Sequence, residues 1–347
     1  MSGLNSLLIY SEHNLKKETI MFDPSLISFE DNLILAPMQG LTSLFFRKAF
    51  HYCFPSCADY AISPFISLTS GELDASSRKF RDVAIEANKD SMRVVPQLIG
   101  NDAKGLAKYA NLLFDMGYAH VNLNLACPAK LALKHSRGSA LLKDLKSLEG
   151  LLKSLSKELK GGLSVKIRIG YGSKQNLASL IGLLNDLPLH SVIVHPRLAI
   201  QMYDGVCDYE AFDLIASSLR HRLVYNGDIK MKKDFLEIKN RFPQIKDYMI
   251  GRGVLRDPLL FAKIRGLNFA DNVLELFFLK LEEFYLKDFL EVEDLDALPQ
   301  YKKEKTEKAL SDKMKELSSY LFPDLFPQIA SCKNVNEINT IVSRRFQ

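Results

Sequence analysis

The fold is decided by the stretch MRVVPQLIGNDAKGLAKYANLLFDMGYAHVNLNLA, residues 92–126. It opens and closes on short apolar runs, at 92–99 and 120–126, and between them residues 102–117 carry apolar side chains three to four positions apart. Short apolar runs predict buried strands, and the wider spacing predicts an amphipathic helix. A strand, a helix and a second strand in this order predict a right-handed βαβ unit of a parallel sheet.

The same alternation recurs from residue 31 to about residue 255. It predicts strands at 33–37, 58–63, 92–99, 120–126, 163–169, 190–196, 222–227 and 247–253. Eight such repeats predict a closed (β/α)8 barrel, the TIM barrel of the α/β class. An open doubly wound sheet is the alternative; it usually has a GxGxxG turn after its first strand, whereas APMQGLT at 36–42 contains one glycine.

We predict three parts along the chain. Residues 1–30 form an N-terminal extension, residues 31–262 the barrel, and residues 263–347 a smaller all-α domain, called here the helical tail. The helical tail has helical spacing and no strand pattern. Residues 302–315 hold six lysines against three acids, a pattern that is most often a solvated helix face.

The composition indicates a folded protein, because 47% of the 347 residues are hydrophobic and 25% are charged. A net charge of +5 is compatible with a polyanionic partner, although many enzymes without one carry it. The five cysteines form no CxxC pair and no zinc-finger spacing, so we expect a reduced, metal-free protein. Charged residues interrupt the N-terminus, so we expect no signal peptide, no membrane span and a cytoplasmic location.

Polar residues gather where the predicted strands end, and in a TIM barrel those carboxyl ends form the active face. A lone histidine or cysteine there is usually structural, but Lys166 in an apolar strand is costly to bury without an anion. Their convergence predicts an active site. The residues in order are Pro37, Met38, Gln39, Ser63, Gln97, Asn124, Cys127, Lys166, Arg168, His195, Arg197, Asn226, Gly227, Asp228, Gly251, Arg252 and Gly253.

The glycines at the last two strand ends indicate a phosphate site. Gly227 and Gly251 lie just before helical segments, where backbone amides and a positive helix end can hold a phosphate, and Arg252 adds charge. The loops after strands 7 and 8 are the usual phosphate position of the barrel. Taken alone, the glycines are explained equally well by tight turns.

Eight stretches resemble, in order and spacing, the motifs of the tRNA-dihydrouridine synthases, from about residue 31 to residue 265. Ala126 departs from the family's usual Gly-Cys-Pro. The stretches are LAPMQGLTSLFFRKAF, VVPQLIGND, VNLNLACPAK, RGSALLKD, VKIRIGY, VHPRLAIQMYDGVCDYE, YNGDI and MIGRGVLRDPLLF.

This resemblance implies an FMN-dependent enzyme that uses NADPH to reduce the C5–C6 double bond of a uridine in tRNA. A hydride from reduced FMN would reach C6 and Cys127 would give a proton to C5; we expect this thiol to be buried beside Ala126 and Pro128. The resemblance implies contact with FMN for Ala36, Pro37, Met38, Gln97, Lys166, His195, Asn226, Gly227, Asp228, Gly251 and Arg252. It implies contact with the substrate for Asn124, Arg168, Arg197 and Tyr203.

The helical tail is similar to the tRNA-binding bundle of that family, and we expect a monomer. Three alternatives stay open: an FMN-dependent reductase of a small molecule such as a pyrimidine, an RNA-binding or RNA-folding helper, and a lyase using Lys166 as a Schiff base. The candidate phosphate contacts in the tail are Lys302, Lys303, Lys305, Lys308, Lys313, Lys315, Arg344 and Arg345.

Overall fold

A computed structural model describes residues 30–68 and 74–346, so all but one residue of the predicted N-terminal extension lies outside the described residues. Eight strands run parallel and close in sequence order, with β1 paired to both β2 and β8. This confirms the TIM barrel. The strands are β1 Asn32–Leu35, β2 Tyr60–Ser67, β3 Val94–Ile99, β4 His120–Leu125, β5 Gly162–Arg168, β6 Leu189–His195, β7 Arg222–Tyr225 and β8 Asp247–Ile250.

Helices surround the barrel and make up the helical tail. The barrel's α-helices are α1 Leu44–Cys53, α2 Ile85–Asn88, α3 Ala103–Asp115, α4 Lys130–Lys134, α5 Leu145–Glu158, α6 Leu177–Asn185, α7 Tyr209–Ser218, α8 Lys232–Arg241, α9 Arg252–Arg256 and α10 Leu260–Arg265. Short 3-10 turns lie at Arg78–Val83, Gly138–Lys143 and Ala199–Gln201. The tail has α11 Val273–Phe284, a π-helical turn Tyr285–Phe289, α12 Gln300–Leu321, α13 Phe326–Ala330 and α14 Val335–Arg344.

The first βαβ unit of the sequence shows how local chemistry sets an element. Asp102 ends the loop after β3, and its carboxylate accepts a hydrogen bond from the amide of Gly105 at 2.8 Å. This caps α3, whose first backbone N–H groups have no partner within the helix. Leu106, Ala110 and Leu113 then lie on one buried face of the helix, against the barrel.

Strand β2 ends four residues later than predicted. It continues through Pro64, and its register with β3 shifts between Ile62 and Phe65. Proline cannot donate to the ladder, and an irregularity of this kind lets the strand continue past it. Ser63 is therefore buried within the strand, where its hydroxyl accepts from the amide of Gln97 at 3.1 Å. Ser67, rather than Ser63, lies at the end of β2.

The helical tail and the barrel share an aromatic cluster, called here the Phe277 cluster. The ring of Phe277, on α11, lies 5.5 Å from that of Phe46 and 5.3 Å from that of Phe54, both from the chain around α1. Lys48 adds a 2.8 Å ion pair to Asp288. Helix α10 spans the boundary predicted at residue 262, and α11 is the first described helix that lies wholly within residues 263–347.

A pair of stacked histidines lies at the amino-terminal ends of β4 and β6. The imidazole rings of His120 and His190 are 4.5 Å apart. Burial, followed by the charges of His190 and Arg222, lowers the pKa of His120 to about 4. An unfolded histidine titrates near 6.5, so between these values the unfolded chain binds more protons than the folded chain. Stability from this site is therefore fully present above about pH 6.5 and is lost as the pH falls toward about 4.

We expect His120→Gln to flatten the pH dependence of stability. Urea unfolding at a series of pH values between about 4 and 7 measures it, because the slope of the unfolding free energy against pH reports the difference in bound protons. The variant should lose less stability than the wild type over this range. An unchanged slope would show that His120 does not titrate as its surroundings indicate.

Candidate active site

A cavity of about 760 Å³ opens at the carboxyl ends of the strands. It is the feature that brings most of the predicted site residues together, while Ser63, Gln97 and Arg197 do not lie on its lining. The predicted residues on the lining are Ala36, Pro37, Met38, Gln39, Asn124, Cys127, Lys166, Arg168, His195, Tyr203, Asn226, Gly227, Asp228, Gly251, Arg252 and Gly253.

The cavity is strongly basic. Besides Lys166, Arg168 and Arg252, the described residues of its lining include three further cations that the sequence analysis did not assign, and Asp228 is the one acid among them. Such a lining favours an anionic ligand. The additional cations are Arg137, Lys230 and Arg256. A signal for them was available: Arg137 opens the quoted RGSALLKD stretch, and the other two follow the glycine-containing strand ends within a few residues.

Lys166 lies on β5 with its ammonium toward the cavity, and it makes no hydrogen bond or ion pair with any residue of the described ranges. Burial, followed by the charge of Arg168, lowers its pKa to about 7. A buried ammonium without a counter-ion loses hydration that nothing replaces. Lys166 is therefore suited to an electron-rich or anionic group of a ligand.

His195 is held as a neutral donor by its neighbour Arg197. The guanidinium Nη1 of Arg197 lies 3.0 Å from Nε2 of His195. A guanidinium can only donate, so Nε2 accepts and the ring hydrogen is on Nδ1. Burial, followed by the charges of Lys166, Arg168 and Arg197, holds the pKa of His195 well below its usual range.

Arg197 lies behind the cavity wall and is only 1% exposed. It donates to the carbonyls of Asp204 at 3.1 Å and Gly205 at 2.7 Å, and its guanidinium pairs with the carboxylate of Asp228. Burial opposes ionisation of Asp228, but Arg197 outweighs it and lowers the pKa of that carboxyl. This geometry supports a positioning role, in which Arg197 fixes the 198–207 loop. Direct contact with substrate stays a prediction without such support.

Gln97 is likewise fully buried, behind Asn124. Its amide nitrogen donates to Asn122 Oδ1 at 2.7 Å, and its amide oxygen accepts from Asn124 Nδ2 at 2.8 Å. Contact with a cofactor therefore stays a prediction for Gln97. Asn122 was not singled out from the sequence, yet the alternation in VNLNL places Asn122 and Asn124 on the same face of β4.

Cys127 follows β4 and is only partly buried, unlike the other four cysteines. The expected burial is wrong because its thiol lines the open cavity. Asn124 Oδ1 accepts hydrogen bonds from the amides of Ala126 at 3.0 Å and Cys127 at 2.9 Å. The side chain of Asn124 thus fixes the loop that presents the thiol, besides lining the cavity itself.

Tyr203 forms an exposed aromatic surface at the mouth of the cavity, where half of the residue is accessible. The guanidinium of Arg252 lies 4.9 Å from its ring centre and that of Arg168 5.6 Å. Arg168 also donates to the carbonyls of Ala126 at 3.0 Å and Leu198 at 2.8 Å. Arg168 therefore links the Cys127 loop to the loop that carries Tyr203.

The predicted phosphate position lies on the same lining. Helix α9 has only five residues, so its dipole is weak and the positive charge there comes mainly from arginine and lysine side chains. A Cβ on Gly251 would approach Ala36 Cβ and Met38 Sδ at 3.1 Å, which shows that its bare backbone lies close to the loop after β1. Asn226 Nδ2 donates to the carbonyl of Met249 at 2.8 Å and ties the ends of β7 and β8 together.

Metal-binding clusters and membrane-spanning helices do not occur within the described ranges. No group of three or more histidine, cysteine, aspartate or glutamate side chains is arranged there to hold a metal ion. None of the described helices combines the length and apolar character needed to cross a membrane.

Comparisons with known proteins identify the family. A family model described as "Dihydrouridine synthase (Dus)" matches residues 34–321. A probable tRNA-dihydrouridine synthase of Helicobacter pylori is 30% identical over 265 residues, which cover 73% of this chain and 77% of the relative. One from Rickettsia bellii is 28% identical over 241 residues, covering 69% and 72%.

A tRNA-dihydrouridine synthase B of Vibrio cholerae is 26% identical over 237 residues, covering 68% of this chain and 71% of the relative. Among solved structures, the chain is similar to a morphinone reductase with a TM-score of 0.49 and 11% identity. That match covers 72% of this chain and 89% of the other.

Proposed function

This chain belongs to the dihydrouridine synthase family, and on that premise we propose that it reduces the C5–C6 double bond of a uridine in tRNA to 5,6-dihydrouridine. The proposed cofactor is FMN and the proposed electron donor is NADPH. The observation that carries this proposal is the meeting of a thiol, Cys127, with Lys166 and Arg252 on one cavity at the strand ends.

The residues of the cavity fit FMN. Ala36, Pro37 and Met38 offer an apolar wall for a ring system. The ammonium of Lys166 has no hydrogen-bond or ion-pair partner among the described residues, so it is available to bond the polar edge of the ring. Arg252, beside the bare backbone of Gly251, suits the phosphate. When bound, FMN supplies a hydride to the substrate.

Cys127 is the proposed proton donor. Hydride addition at C6 of the uracil leaves an electron pair at C5, in conjugation with the C4 carbonyl, and the new C5–H bond takes its proton from the thiol. One hydride and one proton then account for the two added hydrogens. The backbone amides of Ala126 and Cys127 both donate to Asn124 Oδ1, and a loop held in this way can position the thiol for general acid catalysis.

The substrate base would lie between Cys127 and the mouth of the cavity. A uridine stacked in a helix cannot reach this depth, so the target must be unstacked, which is least costly in a loop of the tRNA. Tyr203 offers a stacking surface, Asn124 retains one amide hydrogen for the uracil edge, and Arg168 is near enough to stabilise charge on its carbonyls.

The helical tail offers a basic face for the rest of the tRNA. Among the eight candidate contacts, Lys303, Lys313 and Arg345 are paired with acids and Lys315 donates to a backbone carbonyl. The others are exposed and have no ion pair with a described residue: Lys302, Lys305, Lys308 and Arg344. The three lysines lie on neighbouring turns of α12, so they can contact one stretch of phosphates.

We expect replacement of Lys302, Lys305 and Lys308 by glutamine to weaken tRNA binding, because each lysine that contacts a phosphate releases counter-ions. The slope of log affinity against log salt should fall by about one for each phosphate-binding lysine that is replaced. Filter binding or fluorescence anisotropy over a salt series measures this. The matched control changes Lys104, Lys108 and Lys157, which are exposed on α3 and α5. Equal weakening in both triple variants would contradict a specific role for α12.

The proposed function is tested by position-resolved mass spectrometry of unmodified tRNA incubated with the protein, FMN and NADPH. Dihydrouridine at a defined position supports the proposal. A yellow, NADPH-reducible protein that leaves tRNA unchanged would overturn it in favour of a small-molecule reductase, and a colourless protein would favour a Schiff-base lyase. We further propose that the protein acts as a cytoplasmic monomer, which size-exclusion chromatography with light scattering and cell fractionation test.

A further inference from the structure

We propose that Asn122 is a positioning residue for the proton donor Cys127 and acts through Gln97 and Asn124. The catalytic meaning of this inference rests on the proposed function. Asn122 does not reach the cavity and is 0% exposed, so it cannot touch substrate or cofactor. Its influence has to pass through the side chains that it bonds.

Five hydrogen bonds connect Cys127 to the interior of the barrel, and we call them the amide chain. The first two run from the Cys127 amide to Asn124 Oδ1 at 2.9 Å and from Asn124 Nδ2 to Gln97 Oε1 at 2.8 Å. The next two run from Gln97 Nε2 to Asn122 Oδ1 at 2.7 Å and from Asn122 Nδ2 to Ser164 Oγ at 2.9 Å. The hydroxyl of Ser164 ends the chain by donating to the carbonyl of Val121 at 3.2 Å.

All five bonds of the amide chain point the same way, from Cys127 toward Val121. Every member donates to the next, so the orientation of each amide is decided by its neighbour. Aligned hydrogen bonds also polarise and strengthen one another. The hydroxyl of Ser164 has one hydrogen, which goes to Val121, and it can therefore only accept from Asn122. The orientation of Asn124 at the cavity is thus set from within the barrel.

The side chains of the amide chain are buried. Gln97 and Asn122 are 0% exposed, Ser164 is 2% exposed and Asn124 6%. A buried amide that loses its partner has no bulk water to replace it, so it either turns or remains unsatisfied at a substantial cost. Removal of Asn122 should therefore release Gln97, and a turned Gln97 no longer offers its oxygen to Asn124.

The other side of Cys127 is held independently. The amide and the hydroxyl of Ser139 both donate to the carbonyl of Cys127, at 3.1 and 2.9 Å. Gly138 has φ of +60° and would bring a Cβ to 2.8 Å from that carbonyl. Arg168 holds the carbonyl of Ala126. Because these contacts remain in an Asn122 variant, the loop should stay in place while the amide of Cys127 loses its fixed partner.

The test is a double-mutant cycle with Asn122→Ala and Cys127→Ala, followed by anaerobic stopped-flow. We expect Asn122→Ala to slow reoxidation of the reduced enzyme by tRNA on the order of tenfold, since small misplacements of a reacting group carry such costs. The reduction rate with NADPH and the apparent affinity for tRNA should change little. In the Cys127→Ala background, Asn122→Ala should cost clearly less than in the wild-type background, because the part of its effect that passes through the thiol is already lost.

The matched control is Asn111→Ala. Asn111 also makes two amide hydrogen bonds, to Glu158 and Lys160, but between α3 and the end of α5, outside the cavity lining. It should leave both half-reactions unchanged. Equal losses from Asn122→Ala with and without Cys127 would overturn the inference, because a general structural defect has that signature.

A second measurement separates this inference from the proposed function. Amide hydrogen exchange of residues 120–130 should be faster in Asn122→Ala than in Asn111→Ala, since the amides of Ala126 and Cys127 donate to Asn124. Equal exchange would overturn the inference even if the wild type reduces tRNA. If the wild type leaves tRNA unchanged, the exchange result still decides the positioning role. Where Asn122→Ala does not fold, Ser164→Ala removes the hydroxyl that accepts from Asn122 Nδ2 and serves for the same measurements.

Discussion

Replacing Cys127 with alanine is expected to lower the rate of dihydrouridine formation about 10²- to 10⁴-fold, the usual contribution of a positioned general acid. Alanine removes the thiol and leaves the backbone bonds of the loop with Asn124 and Ser139 intact. The reduction of bound flavin by NADPH should continue, because it needs no proton from this position. Single-turnover kinetics with unmodified tRNA, followed by mass spectrometry, measure the loss.

The control for this prediction is Cys53→Ala, which removes a buried thiol near the C-terminal end of α1. It should affect stability more than rate. A Cys127→Ala variant that retains near wild-type turnover would show that water or another side chain delivers the proton. Loss of both half-reactions would point instead to a damaged cavity.

Replacing Arg197 with methionine is expected to destabilise the folded protein by about 3 kcal/mol, in the range seen when one partner of a buried ion pair is removed. The Arg197 side chain is 1% exposed and that of Asp228 is 21% exposed, so the remaining carboxylate is only partly rehydrated. It keeps the 3.2 Å ion pair with the more exposed Arg252. The carbonyls of Asp204 and Gly205 lose their donor as well. Denaturant unfolding measures the change, and FMN binding should weaken in parallel.

The control for this second prediction is Lys160→Met. Lys160 pairs with Asp115 at 2.8 Å, but both side chains are more than half exposed, so the loss should stay below about 1 kcal/mol. A double variant, Arg197→Met with Asp228→Leu, should recover part of the stability because it also removes the carboxylate that has lost its buried partner. A double variant as unstable as Arg197→Met alone would mean that the loop carbonyls, rather than the ion pair, dominate.

The barrel and the position of its cavity were predictable because both follow from local patterns. Alternating runs identify parallel strands, and their carboxyl ends must meet at one face. The end of β2 was misplaced because a register shift lets that strand continue past Pro64, which the residue order alone does not reveal.

Residue roles behind the cavity wall were harder to predict. Arg197 follows a strand end as a cavity residue would, yet its guanidinium is bonded to the carboxylate of Asp228, which is 31 positions away in the chain. Gln97 is bonded to side chains of the next strand. Partners of this kind depend on how distant segments pack. The exposure of Cys127 likewise depends on the cavity, which exists only when all eight strands close.

The Phe277 cluster bears on how the protein can be divided. Phe277 of the tail covers the rings of Phe46 and Phe54. Cutting the chain after the barrel would therefore expose an apolar surface on the fragment. A truncated protein that ends after the barrel would be prone to aggregate before its activity could be assayed. A chimaera that takes its tail from a relative would have to take the aromatic residues around α1 from the same relative, so that the two sides of the interface still fit.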